Sequence, residues 1–357
     1  MIKIDWNAMP NLSELTLVVP TYNRQQHALK QMRFWSGSPV TLHILDGTNK
    51  PIKNEKLKDI EDNVQYHHLP CIFEERVGKA IKFIDTPYVA FLSDDEYFIP
   101  SALEHCIEYL KNNKDFAACI GICMGFHSAK KGLYGRPMYD SWKGTGCFEE
   151  TSGERIIAKM KQNDSPVYYS VQRADIWKQS IALLPKHRFS SPWVQEFQFE
   201  IAICYQGKSI VLNELMWLRN TETGHVTYNK WNRKLDFETW MKEPQYTDEV
   251  NIMYENTTND LASIYGVDKQ IVLKEVKASV DAYMDRIKKR KMITLPAMVR
   301  SKVMRFVPKK TKKLLNLARV TLTWKPMMKV AELMEKDGVN VDLKQLYEIV
   351  EFMEKKL

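Results

Sequence analysis

The chain has 357 residues, 44% apolar, 27% charged and 11% aromatic, the balance of a soluble globular protein with a substantial core. It holds no apolar run long enough to span a bilayer, and Met1-Ile2-Lys3-Ile4-Asp5-Trp6 has no apolar signal core, so neither a membrane span nor a secretory leader is expected. The net charge is +8, but residues 286–319 carry 13 of the 52 Lys/Arg and no acid. The remainder, with 39 cations against 44 acids, is net −5. Cys71, Cys106, Cys119, Cys123, Cys147 and Cys204 lie mostly in apolar segments, and Cys119-x-x-x-Cys123 has no second Cys/His pair near it. Reduced core thiols of a cytoplasmic protein are expected, and no zinc.

Leu15-Thr16-Leu17-Val18-Val19-Pro20 reads as a buried strand ended by proline, with Thr21-Tyr22-Asn23-Arg24 as a loop and a helix over 25–35. A second strand runs from Val40 to Asp46-Gly47, and the alternation of Val64 to Leu69 suggests a third. A short helix over 74–84 precedes Tyr88-Val89-Ala90-Phe91-Leu92-Ser93-Asp94-Asp95-Glu96-Tyr97, an apolar run that ends in three acids. Strand and helix alternate, which predicts a parallel α/β sheet with its ligands at the carboxyl ends of the strands. Arg24, Asp46 and the acidic triplet all fall at those ends. Three acids closing a buried strand are costly without positive charge beside them, which a divalent metal bridging a phosphorylated ligand would supply. A solvated turn is the alternative.

Beyond the acids, the pattern predicts a helix over 100–112, a strand over 116–126 and a long Gly-, Tyr- and Trp-rich loop over 130–151. A helix over 192–205 then runs into Gly207 and a strand over 209–212; past His225 the chain turns helical and polar.

Leu17 to Arg24, the strand ending at Asp46 and the apolar strand ending in acids together resemble glycosyltransferase family 2, over about residues 12–225. The resemblance implies the GT-A fold, a Rossmann-like α/β sheet flanked by helices, and a metal-dependent, inverting transfer from a nucleotide sugar. It places Pro20, Thr21, Tyr22 and Arg24 in the nucleotide pocket, Tyr22 near the base. Asp46 would accept a hydrogen bond from the base edge. Lys79 would approach the diphosphate, or else be an exposed helix charge.

The acidic motif fits in two registers, Ser93-Asp94-Asp95 or Asp94-Asp95-Glu96, with Asp95 the ligand of Mn²⁺ or Mg²⁺ in both. Asp94 then faces the donor, and Glu96 and His225 are further candidate ligands. Glu196 stands where the family has its base and Glu200, one turn on, is the runner-up; a plain helix-start acid is the alternative for Glu196. Tyr139, Trp142 and Trp193 are candidates for stacking on the acceptor sugar.

The expected organisation is a GT-A domain over 1–225, a helical extension over 226–285 and a basic amphipathic region over 286–357. The mixture of Lys/Arg with Leu295, Met298, Val299, Val303, Phe306, Leu314, Leu315 and Leu317 suits a helix on an anionic membrane. Nucleic acid is not expected, because no such motif occurs. The segment after Trp324 would pack on the catalytic domain or pair with another copy.

The functional expectation is a UDP-sugar-dependent enzyme at the inner face of the cytoplasmic membrane, acting on a glycan or lipid-linked acceptor in cell-surface polysaccharide synthesis. Ser93 stands where the family has its first acid. That keeps open a catalytically inactive GT-A domain, used for nucleotide-sugar binding or as a membrane-docked scaffold.

Overall fold

The structure is a computed structural model and describes residues 4–130, 132–139, 143–162, 166–222, 235–305 and 324–355. In chain order its first half holds β1 (Leu15–Thr21), α1 (Gln25–Trp35), β2 (Thr41–Asp46), β3 (Val64–His68), α2 (Phe73–Ala80), β4 (Tyr88–Phe91), β5 (Tyr97–Phe98), α3 (Pro100–Asn112) and β6 (Phe116–Ala129). There follow β7 (Gly132–Met138), β8 (Gly146–Cys147), α4 (Ser152–Gln162), β9 (Val171–Arg173), α5 (Ala174–Ile181), α6 (Trp193–Gln206) and β10 (Lys208–Asn220). The last elements are α7 (Phe237–Lys242), α8 (Thr247–Tyr265), α9 (Lys269–Arg305), β11 (Lys325–Pro326), α10 (Met327–Lys336) and α11 (Leu343–Glu354).

One mixed sheet organises the molecule in the order β11-β7-β6-β9-β4-β1-β2-β3, with β10 lying along β6. β3, β2, β1 and β4 are parallel, as are β6 and β10; β9 enters antiparallel between β4 and β6. Of these, β1, β2 and β4 are buried on both faces, which explains their apolar runs. Side chains alternate between two cores. Leu17, Val19, Leu42 and Ala90 face one, with α1, α3, α10 and α11; Val18, Leu45, Val89 and Phe91 face the other, with α2, α4, α5, α6, α8 and α9.

The α/β sheet flanked by helices, with further helices at the C-terminal end, is as expected. The loop expected over 130–151 differs: residues 132–138 form β7, antiparallel to β6. Gly132, at φ +114°, makes the tight return that joins the two strands. The strand expected over 209–212 runs on to Asn220, with irregularities at Val211/Leu215 and Leu215/Trp217 that keep it beside β6. α9 passes through residue 286, where a boundary was expected, without a break. Of the basic segment 286–319, residues 306–319 lie outside the described residues. Residues 324–355 return to the sheet, where Met327, Val330, Ala331, Met334, Leu346 and Ile349 join the first core.

Candidate active site

A cavity of about 260 Å³ opens at the carboxyl ends of β1 and β4. Pro20, Thr21, Tyr22 and Arg24 reach it from the end of β1, and Leu92 to Glu96 from the end of β4. Tyr168 and Tyr169 line the floor, and the starts of α2 and α6 supply the opposite wall. The edge follows from topology: parallel strands end together, and the loops that leave them converge.

Arg24 caps α1 after Asn23, which adopts the left-handed φ of 56° that asparagine tolerates. Its Nη2 lies 3.1 Å from Asp94 Oδ1 and 2.5 Å from Asp95 Oδ2. The Thr21 hydroxyl donates to Asp94 Oδ2 at 2.6 Å. Burial nevertheless pushes the Asp94 carboxyl up to about 7, against the pull of Arg24 and Thr21. Glu96 turns toward β10: Trp217 Nε1 donates to its Oε2 at 2.7 Å, and Arg219 Nε is 3.8 Å from Oε1. Burial, reinforced by the Asp95 charge, pushes Glu96 up to about 8. Ser93 Oγ and Tyr169 OH are 3.1 Å apart.

The positive charge that the acids require is thus a guanidinium in this structure. Among the described residues no group of three His, Cys, Asp or Glu could hold a metal ion. Asp94 and Asp95 still bring hard carboxylate oxygens to one point, occupied by Arg24 Nη2. Mg²⁺ and similar ions are held by one or two carboxylates together with substrate phosphates, so this pair fits the protein's share of such a site.

On the opposite wall Glu196 lines the cavity from the first turn of α6. Glu200 is one turn on, buried, paired with Lys159 Nζ at 2.9 Å and accepting from the Tyr168 backbone N–H at 3.1 Å. It is committed to holding the floor. Gln195 Nε2 donates to Glu74 Oε1 at 2.7 Å, which joins α6 to α2.

Pro20, Thr21, Tyr22, Arg24, Asp94, Asp95, Glu96 and Glu196 therefore meet in one cavity. Asp46 and Lys79 do not join them. The Asp46 carboxylate is fully buried and takes hydrogen bonds from Gln25 Nε2, Tyr66 OH and the Thr48 backbone N–H. Lys79 lies one helical turn beyond Arg76, with Nζ 3.6 Å from Cys71 Sγ. His225 and Trp142 lie outside the described residues. Trp193 is exposed at the start of α6. Tyr139, at φ 61°, accepts a hydrogen bond from Arg219 Nη1.

Sequence reading passed over Glu74, Arg76, Tyr168, Tyr169, Gln195 and Asn220, all of which line the cavity. The start of α2 was the available signal, because it follows β3 at the same sheet edge. Arg76 donates from Nη1 to the Cys71 carbonyl at 3.0 Å and lies directly over Gly47, whose missing Cβ would stand 1.5 Å from that nitrogen.

No protein-family model matches the chain, and no curated protein matches it. Among solved structures, residues 1–349 of S. aureus TarS, a glycosyltransferase, are 12% identical, with a TM-score of 0.43 over 77% of this chain and 91% of that one. The same fragment in complex with UDP-GlcNAc gives 13%, 0.46, 77% and 91%. The longer S. aureus TarS gives 13%, 0.44, 76% and 54%. The function proposed next rests on the cavity's own residues.

Proposed function

We propose that this chain is an inverting glycosyltransferase that takes a nucleoside-diphosphate sugar as donor. The observation that carries the reading is one cavity with Arg24 on the Asp94–Asp95 pair and, from the facing wall, Arg76 on α2 and Glu196 on α6. Guanidinium groups suit diphosphate oxygens, which they engage through paired N–H donors. Tyr22 and Pro20, at the end of β1, border the region for the nucleotide.

Glu196 is the base. It takes the proton of the acceptor hydroxyl as that oxygen bonds to the anomeric carbon and the bond from that carbon to the diphosphate oxygen breaks. The leaving diphosphate carries the electron pair away, and Arg24 and Arg76 hold its charge. Asp95, with Asp94, would hold Mn²⁺ or Mg²⁺, which when bound supplies further positive charge at the diphosphate. The acceptor is a glycan or lipid-linked glycan, and the basic segment keeps the enzyme beside an anionic membrane.

The hydrogen-bonded Ser93–Tyr169 pair, where the family has an acid, favours a second reading as a donor-binding domain without turnover. Calorimetric titration with a panel of UDP-, dTDP- and GDP-sugars, with and without Mn²⁺, tests binding. Glu196→Gln should keep donor affinity and lower transfer about a hundredfold or more. Failure of the wild type to bind any of the panel overturns the proposal, and binding without turnover on any acceptor selects the second reading.

A further inference from the structure

We propose that Glu74 selects the donor by accepting, through Oε2, a hydrogen bond from a hydroxyl of the transferred sugar, an inference that rests on the nucleotide-sugar reading above. Glu74 is 1% exposed and lines the cavity. Its Oε1 is satisfied by Gln195, whereas Oε2 is buried without a partner. A buried carboxylate oxygen left unmatched is costly, and a native fold that keeps one keeps it for a purpose.

Favouring the start of α2 is not that purpose. Glu75, in the same turn, does so from solvent at no cost in burial. Arg76 does not satisfy Oε2 either: the two charges attract through space, but the Arg76 bond goes to the Cys71 carbonyl and its Nε is also unmatched. The first turns of α2 therefore hold one unmatched acceptor and one unmatched donor, on two residues that both line the cavity.

The ligand they fit carries anionic oxygens for Arg76 and a hydroxyl for Glu74. A carboxylate repels phosphate, so Glu74 belongs to the uncharged part of the donor. Of the uncharged parts, the sugar is the nearer: Gln195, which holds Glu74, is the chain neighbour of Glu196, the base at the anomeric carbon, while the nucleotide region lies at the end of β1.

Glu74→Gln keeps the shape and the Gln195 bond and replaces the acceptor at Oε2 by a donor. Calorimetry with UDP and with the tightest-binding sugar nucleotide of the panel reads the effect. The expected result is an unchanged Kd for UDP and a Kd for the intact sugar nucleotide raised about tenfold. Monodeoxy analogues of that donor give a second reading on the wild type alone. One position should lose affinity about tenfold, and Glu74→Gln should show no further loss with that analogue. Equal affinity of Glu74→Gln and wild type for the intact donor overturns the inference, as does an equal loss for UDP, which would place Glu74 at the nucleotide. No monodeoxy analogue binding more weakly to the wild type also overturns it. Failure of the wild type to bind any sugar nucleotide of the panel overturns instead the function on which the inference rests.

Discussion

Arg76 reaches the cavity across the backbone of Gly47, at a contact that leaves no room for a methyl group. Its flexible side chain can retreat, so Gly47→Ala should fold and displace the guanidinium. Loss of a charged hydrogen bond costs about 1.5–3 kcal/mol, so UDP affinity should fall roughly tenfold to a hundredfold. Calorimetry on Gly47→Ala beside Arg76→Ala checks this: matching losses support the contact, and wild-type affinity in Gly47→Ala refutes it. Single residues also show where sequence reading stops. Asp46 stands at a strand end, as its position suggested, but Gln25 and Tyr66, 21 and 20 residues away, take its oxygens. Nothing local in the chain announces that pairing. Arg76 and Lys79 are both cations of one short helix, and only the placement of its first turn at the sheet edge separates them.

At the scale of elements, β2 and β3 join through a histidine pair. His43 Nδ1 and His67 Nε2 are 2.9 Å apart, and the His67 ring stacks on Phe83 with centroids 4.0 Å apart. Burial, with His43 beside it, lowers His67 from 6.5 to about 4; burial also lowers His43, while Asp85 opposes that shift. The folded state thus resists a proton that the unfolded state accepts. Stability from this pair is complete above pH 6.5 and is lost as pH falls from there toward 4. The melting temperature should therefore drop between pH 7 and pH 5, and drop less in His67→Gln, as differential scanning fluorimetry would read. An equal drop in both proteins would remove His67 as the cause. The apolar strands β1, β2 and β4 were legible because burial on both faces writes itself as an unbroken run. β7 was not, because it is buried on alternate residues only and opens with a glycine.

The molecule as a whole closes on itself through its last segment. α10 and α11 complete the first core, and Ser101 N donates to Gln345 Oε1 across 244 residues of chain. Among the described residues no helix is long and apolar enough to cross a membrane. The membrane contact proposed above is one of charge, and it has its own test. Replacing Lys288, Lys289, Arg290 and Lys291 by Gln should weaken sedimentation with phosphatidylglycerol vesicles at least tenfold, since each cation contributes about 1 kcal/mol near an anionic surface. Melting should be unchanged. Ending the chain at residue 323 should instead lower the melting temperature, because it uncovers the core around Met327, Val330 and Leu346. Undiminished vesicle binding by the four-residue variant would remove that basic cluster from the membrane contact.

The order of strands and helices from β1 to β4, the sheet edge at their carboxyl ends and the acids at that edge could be read from the chain, since each is written in neighbouring residues as apolar runs and their ends. Which groups meet there could not. Arg24 over Asp94 and Asp95, Glu96 turned to Trp217, Glu200 tied to Lys159, and Glu74 and Arg76 facing the cavity all depend on contacts between distant segments. Packing distributes the hydrogen bonds among buried polar groups, and those left unmatched at the cavity are what remains for a ligand.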